Sequence, residues 1–139
     1  MSYEKPNRIK YAFGMLDFGT AGEVFSIKGP KGKAGRIYDY GVDAPTETFT
    51  AVTLPAYVSV GSVADADLYG DEISMATLAA DAGSKSLRTQ YTVTQIASGT
   101  PLLDPTVPAD TIIALHCTAP TGGTPEGMAI PYFIIDWDD

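Results

Sequence analysis

The 139-residue sequence predicts an all-β protein, an antiparallel β-sandwich or barrel. Several segments alternate polar with apolar residues, which is the period of a strand with one buried face. These segments are rich in Val, Thr and Tyr, which suit a pleated, half-buried surface. Segments rich in Gly, Pro and Asp separate them about every dozen residues, as in antiparallel sandwiches and barrels. The length predicts one domain.

Six segments carry the strand pattern. The first four alternate most clearly, and the last two are more continuously apolar, as a central strand of a sandwich is. The segments are EVFSIK (residues 23–28), GRIYDYGV (35–42), AYVSVG (56–61), RTQYTVTQI (88–96), DTIIALHC (110–117) and MAIPYFIIDW (128–137).

One segment is typical of a helix. In DEISMATLAADAG, residues 71–83, the apolar side chains roughly follow the 3.6-residue period, and Gly83 is placed to end a helix. The same residues also fit a strand, EISMATLA, followed by a turn, and both alternatives stay open. At most one short helix is therefore expected.

The first 20 residues differ from the rest because they mix apolar residues without a clear period and are interrupted by glycines. We expect an extended N-terminal arm over residues 1–20, packed on the domain or on a neighbouring molecule. A terminus that merely frays is an equal alternative. The remaining residues, 21–139, are expected to form a single β-sandwich domain.

The chain is acidic, with nine basic and 17 acidic residues and a formal net charge of −8. This charge argues against non-specific nucleic-acid binding, which needs a basic face. No apolar run is long enough to predict a transmembrane helix, and no apolar stretch follows the basic N-terminus as in a secretory signal. The single cysteine cannot form an internal disulfide. We therefore expect a protein made in a reducing cytoplasm, with neither nucleic acid nor membrane as partner.

His116 and Cys117, the only histidine and the only cysteine, are adjacent in the sequence. Neighbouring side chains of a strand point to opposite faces, so the two cannot normally act on one ion or form a catalytic dyad. A structural zinc site needs four ligands, usually several Cys and His. No nucleophile-elbow sequence accompanies the histidine. We expect no catalytic residues, no metal and no cofactor here. The stretch that follows, with Gly122 and Gly123, is interpreted as a hairpin to the last strand in which these glycines can adopt positive φ.

GPKGKAGR, residues 29–36, resembles a phosphate-binding loop but lacks the Ser or Thr that follows Gly-Lys in a Walker motif. It is interpreted as a hairpin between the strands at 23–28 and 35–42. Most of the basic residues lie near it or in the arm, which indicates a docking surface for an acidic protein partner. A solvated turn is the alternative. The candidate docking residues are Arg8, Lys10, Lys28, Lys31, Lys33 and Arg36.

Two acidic stretches are candidate sites. DADLYGDE, residues 65–72, places Gly70 as an EF-hand loop does, but Tyr69 and, four residues beyond this stretch, Ala76 stand where that loop needs ligands. An EF-hand is excluded, and a looser calcium site stays open. The acidic C-terminus, residues 136–139, is interpreted as a solubilising end rather than as part of a glycosidase site.

The last third, VPADTIIALHCTAPTGGTPEGMAIPYFIIDW, resembles the C-terminal strands of small tailed-phage virion proteins. GRIYDYGVDAPTETFTA and PAYVSVG are similar in character to the same group, so the resemblance spans residues 35–137 approximately. It implies a jelly-roll β-sandwich of about eight strands, as in capsid decoration (cement) proteins. Such proteins usually form trimers on the outside of a head and bridge neighbouring capsomers. The resemblance carries no catalytic or ligand residue.

The resemblance implies a structural protein rather than an enzyme: a homotrimeric decoration protein of a bacteriophage virion. It would bind the major capsid protein on the outer capsid surface, through many weak contacts on a repeating lattice. The alternative is a carbohydrate- or receptor-binding β-sandwich on a head fibre or tail. In that case tyrosines would form the sugar platform, and the candidates are Tyr38, Tyr40, Tyr57, Tyr69 and Tyr91. A hydrolase that uses paired acids is the third and weakest hypothesis.

Overall fold

The computed structural model of the chain describes residues 7–50, 53–99 and 101–138. Strands dominate these ranges, and two short helices lie close together between β7 and β8. The strands in the described ranges are β1 (Arg8–Ala12), β2 (Leu16–Asp17), β3 (Glu23–Lys28), β4 (Gly35–Thr50), β5 (Tyr57–Gly61), β6 (Gly70–Ser74), β7 (Lys85–Ser86), β8 (Thr106–Val107), β9 (Ile112–Thr118) and β10 (Glu126–Trp137). The helices are α1 (Leu87–Gln90) and α2 (Val93–Ala97).

The strands form two antiparallel sheets. Sheet I has the order β1-β10-β4-β7, with β2 also paired to β10 and β8 also paired to β4. Sheet II has the order β3-β9-β5-β6. The all-β antiparallel sandwich predicted from the sequence is confirmed.

The connections between the strands give the sandwich its jelly-roll order. β1 and β2 share one position beside β10, and β7 and β8 share one position beside β4, so each sheet has four strand positions. The chain changes sheet after β2, β3, β4, β6, β8 and β9, and it stays in one sheet only within these shared positions and between β5 and β6. Two sheets wound in this way are a jelly roll.

The core lies between the sheets and is built on their central strands. β9 pairs with β3 and β5, and β10 pairs with β1 and β4, which confirms that the two most apolar segments are central. Phe133 of β10 is fully buried, and the rings of Tyr11 and Phe13 meet it edge to face, with centroids 5.6 and 5.3 Å away. Trp137 Nε1 donates a 2.9 Å hydrogen bond to the Tyr11 hydroxyl, which pairs the one polar atom of that buried ring.

Both predicted hairpins are wrong. Residues 29–34 connect β3 of sheet II to β4 of sheet I, and residues 119–125 connect β9 of sheet II to β10 of sheet I. Turn-forming residues indicate that the chain reverses, but they do not determine which strand it pairs with afterwards. The conformation predicted for the second loop is confirmed, because Gly122 and Gly123 have φ of +88° and +68°.

The strand predicted at residues 88–96 is also wrong, because this segment forms α1 and α2. Each helix starts with a reciprocal capping box, Ser86 with Thr89 and Thr92 with Gln95. These side chains satisfy the amides of the first turn and so override the strand preference of Thr, Val and Tyr. The described ranges therefore contain two helices where the sequence predicts at most one, and neither helix lies in the segment that the sequence favours.

The segment predicted as a helix or a strand is a strand, β6, followed by turns. Thr77 and Asp81 both have φ of +62°, in the left-handed region, which an α-helix cannot contain. Neither α1 nor α2 has the length of a membrane-spanning helix, and the described ranges contain no other helix.

Most of the segment predicted as an arm pairs with the sandwich. β1 and β2 are antiparallel to β10, and Phe18 is fully buried in the core. Residues 1–6 lie outside the described ranges. The division into an arm and a domain at residue 20 stays a prediction.

Replacing Phe133 by Ala should lower the free energy of unfolding by about 3–5 kcal/mol, because it removes a ring that the core encloses on all sides. Val93, which is 75% exposed, is the control. Its replacement by Ala should change stability by about 0.5 kcal/mol or less. Urea denaturation followed by intrinsic fluorescence measures both, and equal effects would contradict the assignment of Phe133 to the core.

Candidate functional site

The six predicted docking residues fall into two groups. Arg8 and Lys10 on β1 and Arg36 on β4 belong to sheet I. Arg8 and Arg36 lie on either side of Asp136 in one cross-strand row, on the face of sheet I turned away from the core, here called the outer face. The other three are not part of this row. Lys28 ends β3 of sheet II, and Lys31 and Lys33 lie in the loop between β3 and β4.

A β-bulge shapes the outer face next to this row. Ile134 is opposite Asp39 and Ile135 is opposite Ile37, so Tyr38 is an extra residue in β4. A bulge turns the side chains of consecutive residues toward one face. Tyr38 and Asp39 accordingly both lie on the outer face, where a regular strand would present only one of them.

Two arginines enclose the ring of Tyr38. The guanidinium carbons of Arg8 and Arg88 lie 3.5 and 3.7 Å from the ring centroid. Arg8 also binds Asp136 with two hydrogen bonds, from Nε at 2.6 Å and from Nη2 at 3.0 Å. Arg88 Nε donates to the carbonyl oxygen of Tyr38 at 2.7 Å. The bond to Asp136 raises the pKa of Arg8, which stays protonated at any physiological pH.

Asp39 lies beneath this stack and accepts four hydrogen bonds. Its Oδ1 accepts from the backbone amides of Tyr40 at 2.9 Å and Arg88 at 3.1 Å. Its Oδ2 accepts from the hydroxyls of Ser86 at 2.9 Å and Tyr132 at 3.4 Å. Burial of the carboxylate raises the pKa of Asp39, and the hydrogen bonds from Arg88, Ser86 and Tyr40 oppose that rise. Asp39 thus joins β4, β10 and the start of α1.

Ser86 reaches Asp39 because β4 has a glycine at the crossing point. A Cβ on Gly41 would lie 2.2 Å from the carbonyl oxygen of Lys85, so a larger residue would push β7 away. The close approach places Ser86 both as the N-cap of α1 and as a donor to Asp39. Arg88, two residues later, is thereby brought over Tyr38.

Lys10 lies in the neighbouring part of the outer face and is already paired. Its Nζ forms an ion pair with Asp43 and lies 4.3 Å from the centroid of the Tyr132 ring. The loop lysines are more dispersed: Lys33 Nζ donates to the carbonyl oxygen of Asp138 at 3.3 Å, and Lys31 is exposed. We call Arg8, Arg36, Tyr38, Arg88 and Asp136 the bulge face. It combines three arginines with one aspartate on the outer face of sheet I, on a chain whose net charge is −8.

The sequence singles out Arg8 and Arg36 as docking candidates, but it does not point to Arg88 or Asp39, which the fold places beside them. Arg88 lies 50 residues beyond Tyr38, inside a segment whose composition predicts a strand. The only local signal is the capping box that begins at Ser86, which indicates a helix start two residues before Arg88. Nothing in the sequence pairs that helix with β4.

His116 and Cys117 point to opposite faces, as predicted. Cys117 belongs to the core, and burial raises the pKa of its thiol well above the ordinary value. His116 lies outside the core, and its Nε2 is 2.7 Å from the carbonyl oxygen of Ser62. Within the described ranges, no three His, Cys, Asp or Glu side chains are grouped to hold a metal ion.

In the acidic stretch at residues 65–72, a hydrogen bond to Asp65 raises the pKa of Asp67.

The tyrosines proposed for a sugar platform do not share a surface. Tyr40 and Tyr69 are buried in the core, and Tyr91 packs against it. Both faces of the Tyr38 ring are covered by arginines. A groove of about 410 Å³ opens beside Leu54 and Thr77, and its described lining has no charged side chain and no tyrosine.

Comparison of the chain with protein-family models, with curated proteins and with solved structures found no match.

Replacing Asp39 by Asn should change the pH dependence of stability. Because the folded-state pKa of Asp39 is raised, the fold penalises its ionised form, and this penalty disappears as pH falls toward the ordinary carboxyl pKa of about 3.9. The free energy of unfolding of the wild type, minus that of the Asp39→Asn variant, should therefore be larger at acidic than at neutral pH. Denaturation at several pH values measures this, and the opposite trend would mean that the hydrogen bonds outweigh burial.

Cys117 should not react with a thiol reagent at mildly alkaline pH while the protein is folded, since it is buried and its thiol is protonated. Unfolding in urea should release one reactive thiol per chain. Rapid labelling of the folded protein would contradict the position of Cys117 in the core.

Proposed function

We propose that the protein is a structural virion protein, a decoration (cement) protein that binds the outside of a phage capsid as a homotrimer and stabilises the head. The observation that carries this proposal is the bulge face, an ordered basic surface on an acidic jelly roll. Two of its three arginines, Arg8 and Arg88, are held in place by stacking and hydrogen bonds rather than dispersed as a solvated turn would be. Such a surface suits docking to a protein that presents acidic groups.

The jelly roll itself adds support of a more general kind. The resemblance to small phage virion proteins implies this fold, and the sheet order of the chain agrees with it. A fold alone does not determine function, so the proposed function rests on the bulge face and not on the jelly roll.

A decoration protein does not need a deep binding pocket. It gains affinity by contacting several copies of a capsid protein at once, so that modest contacts add through multivalency. A trimer in which each copy carries one bulge face would present three such surfaces to a lattice. Self-association through a closed symmetric contact would prevent the free protein from polymerising.

The proposal predicts that the purified protein is a trimer and that it co-sediments with mature phage heads that lack it. Addition of the protein should raise the temperature at which those heads release DNA. Light scattering measures the oligomeric state, and electron microscopy of heads with and without the protein shows whether density is added outside the shell. A monomer that binds no heads would refute the proposal.

A further inference from the structure

We propose that the bulge face binds an acidic segment of a partner protein by its carboxylates, with Arg36 and Arg88 as the groups that bind them. This inference deepens the docking role proposed above and rests on it for its biological meaning. The binding chemistry itself depends only on the contacts of the described residues.

The first argument is that both guanidinium groups have N–H donors that no described hydrogen bond or ion pair uses. Arg88 uses Nε for the carbonyl oxygen of Tyr38, and no described hydrogen bond or ion pair uses its Nη atoms. Within the same described residues, the Arg36 side chain forms no hydrogen bond or ion pair, and Arg36 is exposed. A guanidinium group matches the geometry of a carboxylate, because it can donate two parallel hydrogen bonds to the two oxygens.

The second argument is that the face already binds one carboxylate in this way. Asp136 accepts from Nε and Nη2 of Arg8 at 2.6 and 3.0 Å. Arg36 is directly opposite Asp136 on the next strand. Of the three arginines, Arg8 therefore already binds a carboxylate with two hydrogen bonds, and Arg36 and Arg88 can bind a carboxylate of another molecule.

The third argument is that Arg88 is held in position before a partner arrives. Its guanidinium group stacks on Tyr38, and its backbone amide donates to Asp39. Asp39 in turn binds the hydroxyl of Ser86, the N-cap of α1. A side chain fixed in this way loses little further freedom on binding, which favours affinity. Asp39 and Tyr38 act here as positioning residues.

The charge distribution indicates an acidic protein segment rather than an extended polyanion. The net charge of −8 repels a long polyphosphate chain from most of the surface. A short acidic segment, in contrast, meets only the bulge face. The lysines of the β3–β4 loop are weaker candidates, because a lysine offers a point charge on a flexible stem and not a planar fork.

The test is a titration of the full chain with a hexaglutamate peptide at low salt, followed by NMR or calorimetry, with hexaglutamine as the uncharged probe. The double variant Arg36→Gln/Arg88→Gln is compared with Lys28→Gln/Lys31→Gln, which removes the same charge away from the bulge face. We expect the arginine variant to weaken hexaglutamate binding by about tenfold or more, and the lysine variant by about twofold or less. Arg88→Lys keeps the positive charge but not the planar guanidinium group. Its affinity for hexaglutamate should lie between those of the wild type and of the double arginine variant.

Equal losses in the two double variants would overturn the proposal, since binding would then follow net charge alone. Absence of hexaglutamate binding to the wild type, or equal binding of hexaglutamine, would overturn it as well. If Arg88→Gln disturbs α1, the single variant Arg36→Gln still tests the site, because Arg36 is exposed and forms no described side-chain bond. Phage heads take no part in this assay, so a protein that binds the peptide but no heads would refute the virion role alone.

Discussion

The ladder between β4 and β10 is the interaction on which the rest of the structure depends. These are the two longest strands, and they pair from Trp137 opposite Gly35 to Glu126 opposite Thr50. Every other strand of sheet I is bonded to one of them: β1 and β2 to β10, and β7 and β8 to β4. The ladder also turns Phe133 and Ile135 toward the core, where both are fully buried. Its register therefore determines both the core and the outer face.

The bulge at Tyr38, one of three register shifts in that ladder, links the fold to the proposed docking surface. One extra residue in β4 brings Tyr38 and Asp39 to the same face. Tyr38 then stacks between Arg8 and Arg88, and Asp39 fixes the start of α1. Burying the carboxylate costs free energy, as the raised pKa of Asp39 indicates, and four hydrogen bonds offset part of that cost.

Much of the fold could be predicted from the sequence because strands leave a local pattern. The segment at 23–28 coincides with β3, and the two most apolar segments are the central strands β9 and β10. Sheet membership could not be predicted, because β3 pairs with β9 across more than 80 residues and no local signal records that choice. The helices were missed because two capping boxes outweighed the composition of residues 88–96. Only part of the candidate site could be predicted from the sequence. Arg8 and Arg36 lie in the part of the sequence that is rich in basic residues, whereas Arg88 joins them only through the tertiary fold.

The central claim is that the arginines beside the bulge, and not the loop lysines, bind a partner's carboxylates. A structure of the protein with a bound acidic peptide tests it most directly. The account predicts peptide carboxylate oxygens within hydrogen-bond distance of Arg36 and of the Nη atoms of Arg88, with the stack on Tyr38 unchanged. A peptide bound at the β3–β4 loop, or on the outer face of sheet II, would contradict it.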